Sequence, residues 1–430
     1  MDDMVRKISA DDINPRFNWG RALPALGIMG VDFEERVDYR RLHRYRLSRV
    51  RQALEKSELG ALLVFDVNNI RYITSTKIGE WERDKLCRWT LLTRNGDPIL
   101  WDFGSAAVHH RLYTPWLNPE NCKAGLIGLR GTVNPAFGLM ERHAKEIASL
   151  LKEAGVHKMP VGIDIIEPPM MFELQKAGLK IADGQQTMLE AREIKNIDEI
   201  ALLNRAAAMV DGAYHLVHEE LKPGVRENDI VAKVNEFLYR HGSDDVEAIN
   251  AISGERCNPH PHNFTDRMLR PGDQAFFDIL QSFMGYRTCY YRTFNVGRAT
   301  PIQHDAYKKA RDWLDKAIDL IKPGVTTDKI CKVWPKAQDF GFPDELSAFG
   351  LQFGHGLGLA LHERPIISRV VSLSHPTEIK EGMVFALETY CPASDGYSAA
   401  RIEEEVVVTD KGHRVITLFP AEELPISHRY

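Results

Sequence analysis

The chain has 430 residues, 44% of them hydrophobic and 27% charged, a balance that excludes a disordered, collagen-like or disulfide-stapled protein. Lysine and arginine number 55 against 60 aspartates and glutamates, which gives a formal net charge of −5. No bulk electrostatic attraction to nucleic acid or to an anionic membrane is therefore expected, and a small-molecule partner is favoured.

Residues 1–36 form the first segment of the sequence. They are charged and interrupted by Pro15 and Gly20, so they contain neither the apolar stretch of a signal peptide nor a run long enough to span a bilayer. The six cysteines of the chain occur singly, without a CxxC pair, and are interpreted as reduced thiols. These features predict an irregular leader and a cytoplasmic protein.

Helices and strands alternate in the segment that follows. Apolar residues recur at helical spacing over Tyr39–Leu59, and this helix is predicted to end at Gly60. Short apolar runs bounded by turn residues then predict strands. The predicted strands cover 61–65, 89–93, 98–103 and 161–165, with a second helix at 139–154. We assign residues 37–185 to one α/β domain.

An internal repeat marks the second domain, which we place at residues 186–430. It opens with a continuous helical stretch over 188–221. Leu-Lys-Pro-Gly-Val at Leu221–Val225 is followed one hundred residues later by Ile-Lys-Pro-Gly-Val at Ile321–Val325. A second helix is predicted after each copy, at 227–240 and at 327–340. The repeat favours two related halves around a cleft, although Lys-Pro-Gly is a common helix stop and chance recurrence is the alternative.

Three carboxylates lie in or beside apolar runs that predict strands. They are Asp278, Glu388 and Glu403. An ionised carboxylate in such a strand lowers stability unless it is paired or bound to a metal ion. By contrast, Glu404 and Glu405 are interpreted as a solvated acidic patch at the start of a strand.

The sharpest motif is the glycine-rich segment around His355. Residues 353–365 read Phe-Gly-His-Gly-Leu-Gly-Leu-Ala-Leu-His-Glu-Arg-Pro, with a second histidine at His362. The glycines are too irregularly spaced for a phosphate-binding loop, and we expect them to let the backbone crowd a ligand or metal. With the three carboxylates, His355 completes a ligand set suited to Mn, Fe, Co or Zn. Metal-assisted hydrolysis is the chemistry that this set favours.

Two further histidines lie in the proline-broken segment 258–263. Such loops carry chemistry more often than cores do. His262 is predicted to shuttle a proton or to polarise a carbonyl, whereas His260 is interpreted as an exposed turn residue.

The sequence resembles the pita-bread superfamily of methionine aminopeptidase, aminopeptidase P, prolidase and creatinase. The motifs that carry the resemblance are His355-Gly356-Leu357-Gly358, His362-Glu363-Arg364-Pro365, Arg401-Ile402-Glu403 and Arg192-Glu193-Ile194-Lys195. It implies an α/β creatinase-like N-terminal domain followed by an α+β pita-bread catalytic domain with internal pseudo-twofold symmetry. It also implies a homodimer, in which Trp81, Arg83 and Arg88 are candidates to reach the partner subunit.

The resemblance implies five metal ligands, one of which departs from the family pattern. The ligand positions are Asp278, Cys289, His355, Glu388 and Glu403. At Cys289 the peptidases of the family have an aspartate that bridges two metal ions, and a thiolate does not offer two oxygens. We therefore favour one divalent ion over two, with a sulfur-bridged pair and a metal-free site as in creatinase as alternatives.

Side chains that handle the substrate are implied by the same resemblance. His262 and His362 would polarise the scissile carbonyl, and Glu388 would act as a ligand or as a general base. Apart from the resemblance, Arg292 or Arg364 is a candidate, by its charge, to pair with a substrate carboxylate.

Four functions stay open at this point. The leading one is a creatinase-like or aminopeptidase P-like hydrolase that cleaves a C–N bond in a small substrate, assisted by a metal ion. The alternatives are an Xaa-Pro dipeptidase or aminopeptidase, a C–S lyase similar to dimethylsulfoniopropionate lyase, and a non-catalytic binding protein. Cys289 favours a non-peptide substrate, and Leu361 stands where that lyase has an aspartate, which counts against a lyase.

Overall fold

The structure is a computed structural model that describes residues 37–79, 87–127, 131–349 and 353–430. It divides into two units, with the boundary between Met188 and Leu189. No helix in these ranges is both long and apolar enough to cross a membrane. The leader predicted at 1–36 lies outside the described residues, as do Trp81 and Arg83.

A six-stranded mixed sheet forms the centre of the first unit. The elements of the unit are α1 (Tyr39–Lys56), β1 (Ala61–Val64), α2 (Val67–Thr74), β2 (Trp89–Thr93), β3 (Ile99–Asp102), α3 (Gly104–Tyr113), β4 (Cys122–Ala124), α4 (Leu139–Glu153), β5 (Val161–Ile163), α5 (Pro168–Lys176) and β6 (Ile181–Asp183). The strand order is β4-β3-β2-β1-β5-β6, and β1 is antiparallel to β2 but parallel to β5. The Asp38 side chain caps α1 by accepting hydrogen bonds from two backbone amides.

Arg88 lies in the core of this unit. One of its terminal nitrogens is 3.1 Å from Oδ2 of Asp102 and 2.9 Å from Oγ1 of Thr76, and the same Asp102 oxygen is 3.1 Å from Nε2 of His110. A buried guanidinium needs such partners inside its own unit. The expectation that Arg88 reaches a partner subunit is therefore wrong.

Two sheets form the second unit. Helix α6 (Gln185–Arg192) crosses the boundary, and the elements after it are α7 (Ile197–Glu220), α8 (Glu227–Arg240), β7 (Asp245–Ser253), β8 (Gln274–Phe283), β9 (Tyr286–Val296), α9 (Pro301–Asp319), α10 (Thr327–Cys331), α11 (Glu345–Phe349), β10 (Gly354–Gly356), β11 (Glu363–Ile367), β12 (Val384–Pro392), β13 (Ala399–Val408), β14 (His413–Val415) and β15 (Ile426–Ser427). One sheet has the order β15-β9-β8-β7 and the other β11-β10-β12-β13-β14, and all their strand pairs are antiparallel except β15 with β9, which is parallel.

The two Lys-Pro-Gly turns make equivalent contacts in the two halves of this unit. The amide of Gly224 donates to the carbonyl of Leu269 at 2.9 Å, and the amide of Gly324 donates to the carbonyl of Ile379 at 3.0 Å. Each turn follows a long helix, α7 or α9, and each half contributes one sheet. The repeat in the sequence is therefore a repeat in the structure, as the predicted fold class requires.

Two predicted helices differ from the observed ones. The helix expected at 327–340 ends at Cys331, because Pro335 has no amide proton and disfavours helix in the residue before it. The continuous helical stretch expected over 188–221 is interrupted between α6 and α7, where Asn196 begins a new helix in a reciprocal capping arrangement with Glu199.

The two turn glycines give a matched stability prediction. Gly224→Ala and Gly324→Ala should each lower the free energy of unfolding by about 1–2 kcal/mol, because an L side chain disfavours positive φ. The φ angles are +90° and +85°, and among the described residues nothing lies within 4 Å of an added Cβ, so the cost is conformational. Urea unfolding measures both values, with Gly412→Ala, at a glycine without positive φ, as the control. Clearly unequal costs would contradict the equivalence of the turns.

Candidate active site

The five implied metal ligands lie on five strands of the second unit. Asp278 is on β8, Cys289 on β9, His355 on β10, Glu388 on β12 and Glu403 on β13. Glu388 and Glu403 are directly opposed cross-strand partners, so they project from the same face of their sheet. Asp278 opposes Tyr291, two residues from Cys289, so Asp278 and Cys289 share a face of the other sheet.

Three of the five come within metal-ligand distance of one another. One ligand atom each from Cys289, His355 and Glu403 lies within 4.8 Å of the other two, and all three residues are buried. Nδ1 of His355 donates to the carbonyl of Gly356 at 3.0 Å, which leaves the lone pair of Nε2 for a ligand. Together the three side chains offer a sulfur, a nitrogen and an oxygen donor.

The environment of the Glu403 carboxylate indicates whether Cys289, His355 and Glu403 fit a cation. Glu403 is fully buried, and among the described residues neither of its oxygens has a hydrogen-bond partner. Burial, reinforced by the nearby Glu388 and Asp278, raises the pKa of Glu403 well above its usual value. A buried carboxylate in this state is satisfied by a proton or by a metal ion, and the adjacent sulfur and imidazole suit a metal ion.

The neighbouring thiol belongs to the same electrostatic environment. Burial raises the pKa of Cys289 well above its usual value, and the carboxylates of Asp278 and Glu403 raise it further. Burial also lowers the pKa of His355 to about 4, so its imidazole is neutral and available as a ligand at neutral pH.

Asp278 lies beside Cys289, and a residue outside the group of three donates a hydrogen bond to it. Its Oδ1 lies 3.5 Å from Sγ of Cys289, while Oδ2 accepts a hydrogen bond from Nδ2 of Asn250 at 3.0 Å. Burial raises the pKa of Asp278 to about 6, against the opposing effect of Arg401. Asn250 was not identified from the sequence, because its role depends on the register of β7 against β8.

Glu388 is held by a cation. Arg401 donates a hydrogen bond to Glu388 and contacts His260, and its guanidinium lies 4.0 Å from the centroid of the Tyr291 ring. Arg401 is two residues from Glu403, so strand alternation places both on the face of β13 that Glu388 shares. The two-residue spacing from Glu403 is the sequence signal that places Arg401 at the site.

A cavity of about 290 Å³ adjoins Glu388 and Arg401. Among its lining residues are His260, His262, Phe353, Glu388, Tyr390 and Arg401. His262 lines the cavity with Glu388 and Arg401, and its pKa is lowered by burial and by Arg401. The interpretation of His260 as an exposed turn residue is wrong, because it is half-buried against Arg401 and its pKa is lowered to about 3 by burial.

His362 lies beside the predicted ligand histidine, with the two rings tilted by 54°. The ring centroids of His355 and His362 are 4.2 Å apart, and His362 is exposed. The glycines around His355 lie against other parts of the chain. A Cβ at Gly356 would collide with the carbonyl of Arg364, and one at Gly358 would meet the Glu363 carboxylate at 2.6 Å. The glycines therefore admit the chain's own backbone and side chains.

Arg292 does not bind substrate as expected. Its side chain is buried, and its nitrogens donate to the carbonyls of Phe419, Tyr291 and Glu403 and to the carboxylate of Glu404. Strand alternation points it to the opposite face of β9 from Cys289 and Tyr291. Its role is to join strands.

The other candidate substrate arginine lies on a different strand. Arg364 is a partly buried residue of β11, and it is not among the residues that line the 290 Å³ cavity.

Glu404 and Glu405 are buried in β13 and do not form a solvated patch. Glu404 pairs with Arg292 and Arg311, at 2.8 Å in each case. Glu405 accepts hydrogen bonds from the hydroxyl of Thr288 and the amide of Cys289, both at 2.7 Å, and burial raises its pKa to about 8. The expectation of exposure was wrong because both faces of this strand are covered.

Comparison with known proteins relates the whole chain to one group of enzymes. Residues 201–410 match metallopeptidase family M24. The chain is 25% identical over 396 residues to dimethylsulfoniopropionate lyase DddP of Roseovarius nubinhibens, covering 89% of this chain and 87% of that protein. It is 28% identical over 232 residues to the Xaa-Pro dipeptidase of Pyrococcus furiosus, covering 53% and 64%.

A solved structure matches the fold across both units. The Xaa-Pro dipeptidase from Bacillus anthracis superimposes with a TM-score of 0.71 at 20% identity, over 89% of this chain and 99% of that one. The family match covers most of the second unit, which holds all five implied ligands. Residues 201–410 therefore match the M24 metallopeptidase domain, and the fold is that of the pita-bread metallopeptidases.

Proposed function

We propose that this protein hydrolyses a C–N bond in a small substrate with the help of one divalent metal ion. The observation that carries the proposal is the buried Glu403 carboxylate, which lacks a partner among the described residues and lies within ligand distance of Cys289 and His355. These three side chains would hold the ion. When bound, a divalent ion supplies Lewis acidity, which polarises a carbonyl and makes water a stronger nucleophile.

The polar side chains at the cavity supply the remaining functions. His262 carries a neutral imidazole there, because burial and Arg401 lower its pKa, so it can donate a hydrogen bond to a developing oxyanion or move a proton. His362, whose ring centroid lies 4.2 Å from that of His355, would serve the same task. Glu388 stays within reach as a base, with its orientation held by Arg401.

The size of the cavity limits the substrate to a small molecule. A volume of about 290 Å³ is at the lower end of the range for small-molecule pockets. The altered ligand at Cys289 continues to favour a creatinase-like, non-peptide substrate, and an Xaa-Pro dipeptide is the main alternative. The relative from Pyrococcus furiosus is named for activity on such peptides.

A C–S lyase is a second candidate, supported by one observation. The similarity to the lyase of Roseovarius nubinhibens extends over 89% of this chain and 87% of that protein, whereas the match to the archaeal dipeptidase covers 53% and 64%. Release of dimethyl sulfide from dimethylsulfoniopropionate by the purified protein would favour the lyase. Its absence, with turnover of an amide, would favour the hydrolase.

Removal of the metal should abolish turnover. We expect chelator-treated protein to lose activity on a panel of Xaa-Pro dipeptides, small amides, amidines and lactams, and to regain it with one equivalent of a divalent ion, because the three donors form one site. Liquid chromatography of the products measures the result. Undiminished turnover after complete metal removal, verified by elemental analysis, would contradict the proposal.

The proposal also includes a cytoplasmic homodimer. Its support is the family resemblance, and light scattering on the purified chain measures the mass. A monomer at micromolar concentration would contradict this part without affecting the site.

A further inference from the structure

The three converging side chains differ in the kind of ligand atom that they offer. Cys289 offers a sulfur, His355 a nitrogen, and Glu403 an oxygen. Mg²⁺ and Mn²⁺ prefer oxygen-rich sites with about six ligands, whereas Zn²⁺ and Co²⁺ accept mixed sulfur and nitrogen sites with four. The donor set therefore favours ions of the second kind.

Each of the two nearby carboxylates that would add oxygen donors already has one oxygen engaged. Oδ2 of Asp278 accepts a hydrogen bond from Asn250, and Glu388 is paired with Arg401. The remaining donors are nearly sealed from solvent, with exposures of 6% for Cys289, 1% for His355 and 0% for Glu403. Three protein donors of this kind match the number of protein ligands at catalytic zinc sites.

We propose that this site selects a thiophilic divalent ion, Zn²⁺ or Co²⁺, over Mn²⁺, and that the sulfur of Cys289 sets the selectivity. The inference rests on the proposed function in placing one ion at this site. It adds which ion the site takes and which atom decides the choice. Cys289→Asp replaces the sulfur by a carboxylate oxygen and should move the selectivity toward Mn²⁺.

A competition experiment tests the selectivity without measuring activity. The full chain and its variants are dialysed against equal concentrations of Zn²⁺ and Mn²⁺, and bound metal is quantified by mass spectrometry. Most protein sites bind first-row divalent ions in the same order of affinity. Only the difference in the bound Zn:Mn ratio between variants therefore reports on Cys289. We expect Cys289→Asp to lower the bound Zn:Mn ratio at least about tenfold, and Cys391→Ser, at a buried thiol outside the site, to leave it unchanged.

The Co²⁺-loaded protein gives a second readout. A sulfur-to-cobalt charge-transfer band should appear in the wild type and in Cys391→Ser, and should be absent in Cys289→Ser. An unchanged Zn:Mn ratio in Cys289→Asp, or a band that survives in Cys289→Ser, would overturn the proposal. If Cys289→Asp does not fold, the wild-type spectrum decides, since a wild type without the band also overturns it.

Failure of the proposed function is distinguishable from failure of this inference. A chain that shows the cobalt band but cleaves no C–N bond refutes the hydrolase proposal and supports the selectivity. A chain that turns over with Mn²⁺ and shows no band refutes the selectivity and leaves the hydrolase proposal standing.

Discussion

Glu403→Leu should stabilise the metal-free protein while abolishing metal binding. Leucine is close to glutamate in size and has no polar atom, so it removes a buried carboxylate that has no partner among the described residues. We expect a gain of about 1–3 kcal/mol in the free energy of unfolding, as for other apolar replacements of buried charges. Metal affinity should fall by more than the ~10–100-fold typical for loss of an outer-shell partner, because a direct ligand is lost.

The stability gain of Glu403→Leu should increase as the pH rises. Because burial raises the pKa of Glu403 above 4.5, its contribution to the stability of the metal-free wild type is greatest below that pH and is lost as pH rises through the folded pKa. The leucine variant lacks this loss, so its advantage should grow toward neutral pH. Urea unfolding at several pH values, with chelator present, measures the difference.

The adjacent glutamate provides the control. Glu404→Leu removes a carboxylate that pairs with Arg292 and Arg311 at 2.8 Å, so it should destabilise the fold by about 3–5 kcal/mol. It should leave metal binding to the folded protein unchanged. Equal effects of the two substitutions on stability would contradict the assignment of Glu403 as the unsatisfied ligand.

Arg292→Met should lower the free energy of unfolding by about 3–5 kcal/mol, because it leaves the buried Glu404 carboxylate without one of its cations. The guanidinium is 2.8 Å from Glu404 and also bonds the carbonyls of Phe419 and Glu403, and methionine reproduces none of these contacts. Thermal and urea unfolding measure the loss. Arg414→Met, at an exposed arginine of β14, should change stability little and serves as the control.

The same variant separates a structural arginine from one that binds substrate. If Arg292 only joins strands, the fraction of Arg292→Met that folds should keep the wild-type KM. A large rise in KM at unchanged stability would contradict the structural role and restore the substrate contact expected from the sequence.

Much of the fold could be predicted because local sequence patterns determine it. The Lys-Pro-Gly repeat identified the two halves, and the alternation of apolar residues located the strands that carry Asp278, Glu388 and Glu403. The family resemblance alone pointed to Cys289, since a single buried thiol in a strand carries no distinguishing signal.

Contacts between distant strands could not be predicted. Whether Glu404 faces solvent or Arg292 depends on β9 packing beside β13, which lies more than one hundred residues away in the chain. Asn250 acts through cross-strand register and has no local pattern, and the pairing of Arg401 with Glu388 also depends on strand register. Charge alone therefore assigned Arg292 and Glu404 to the wrong environments.

X-ray absorption spectroscopy of the Zn²⁺-loaded chain tests most directly whether Cys289, His355 and Glu403 form one metal site. The spectrum should contain one sulfur scatterer at about 2.3 Å and nitrogen or oxygen scatterers near ~2.0 Å. No second metal should be present at the ~3.5–4 Å typical of two-metal sites. A first shell without sulfur, or a metal–metal distance in that range, would contradict the account.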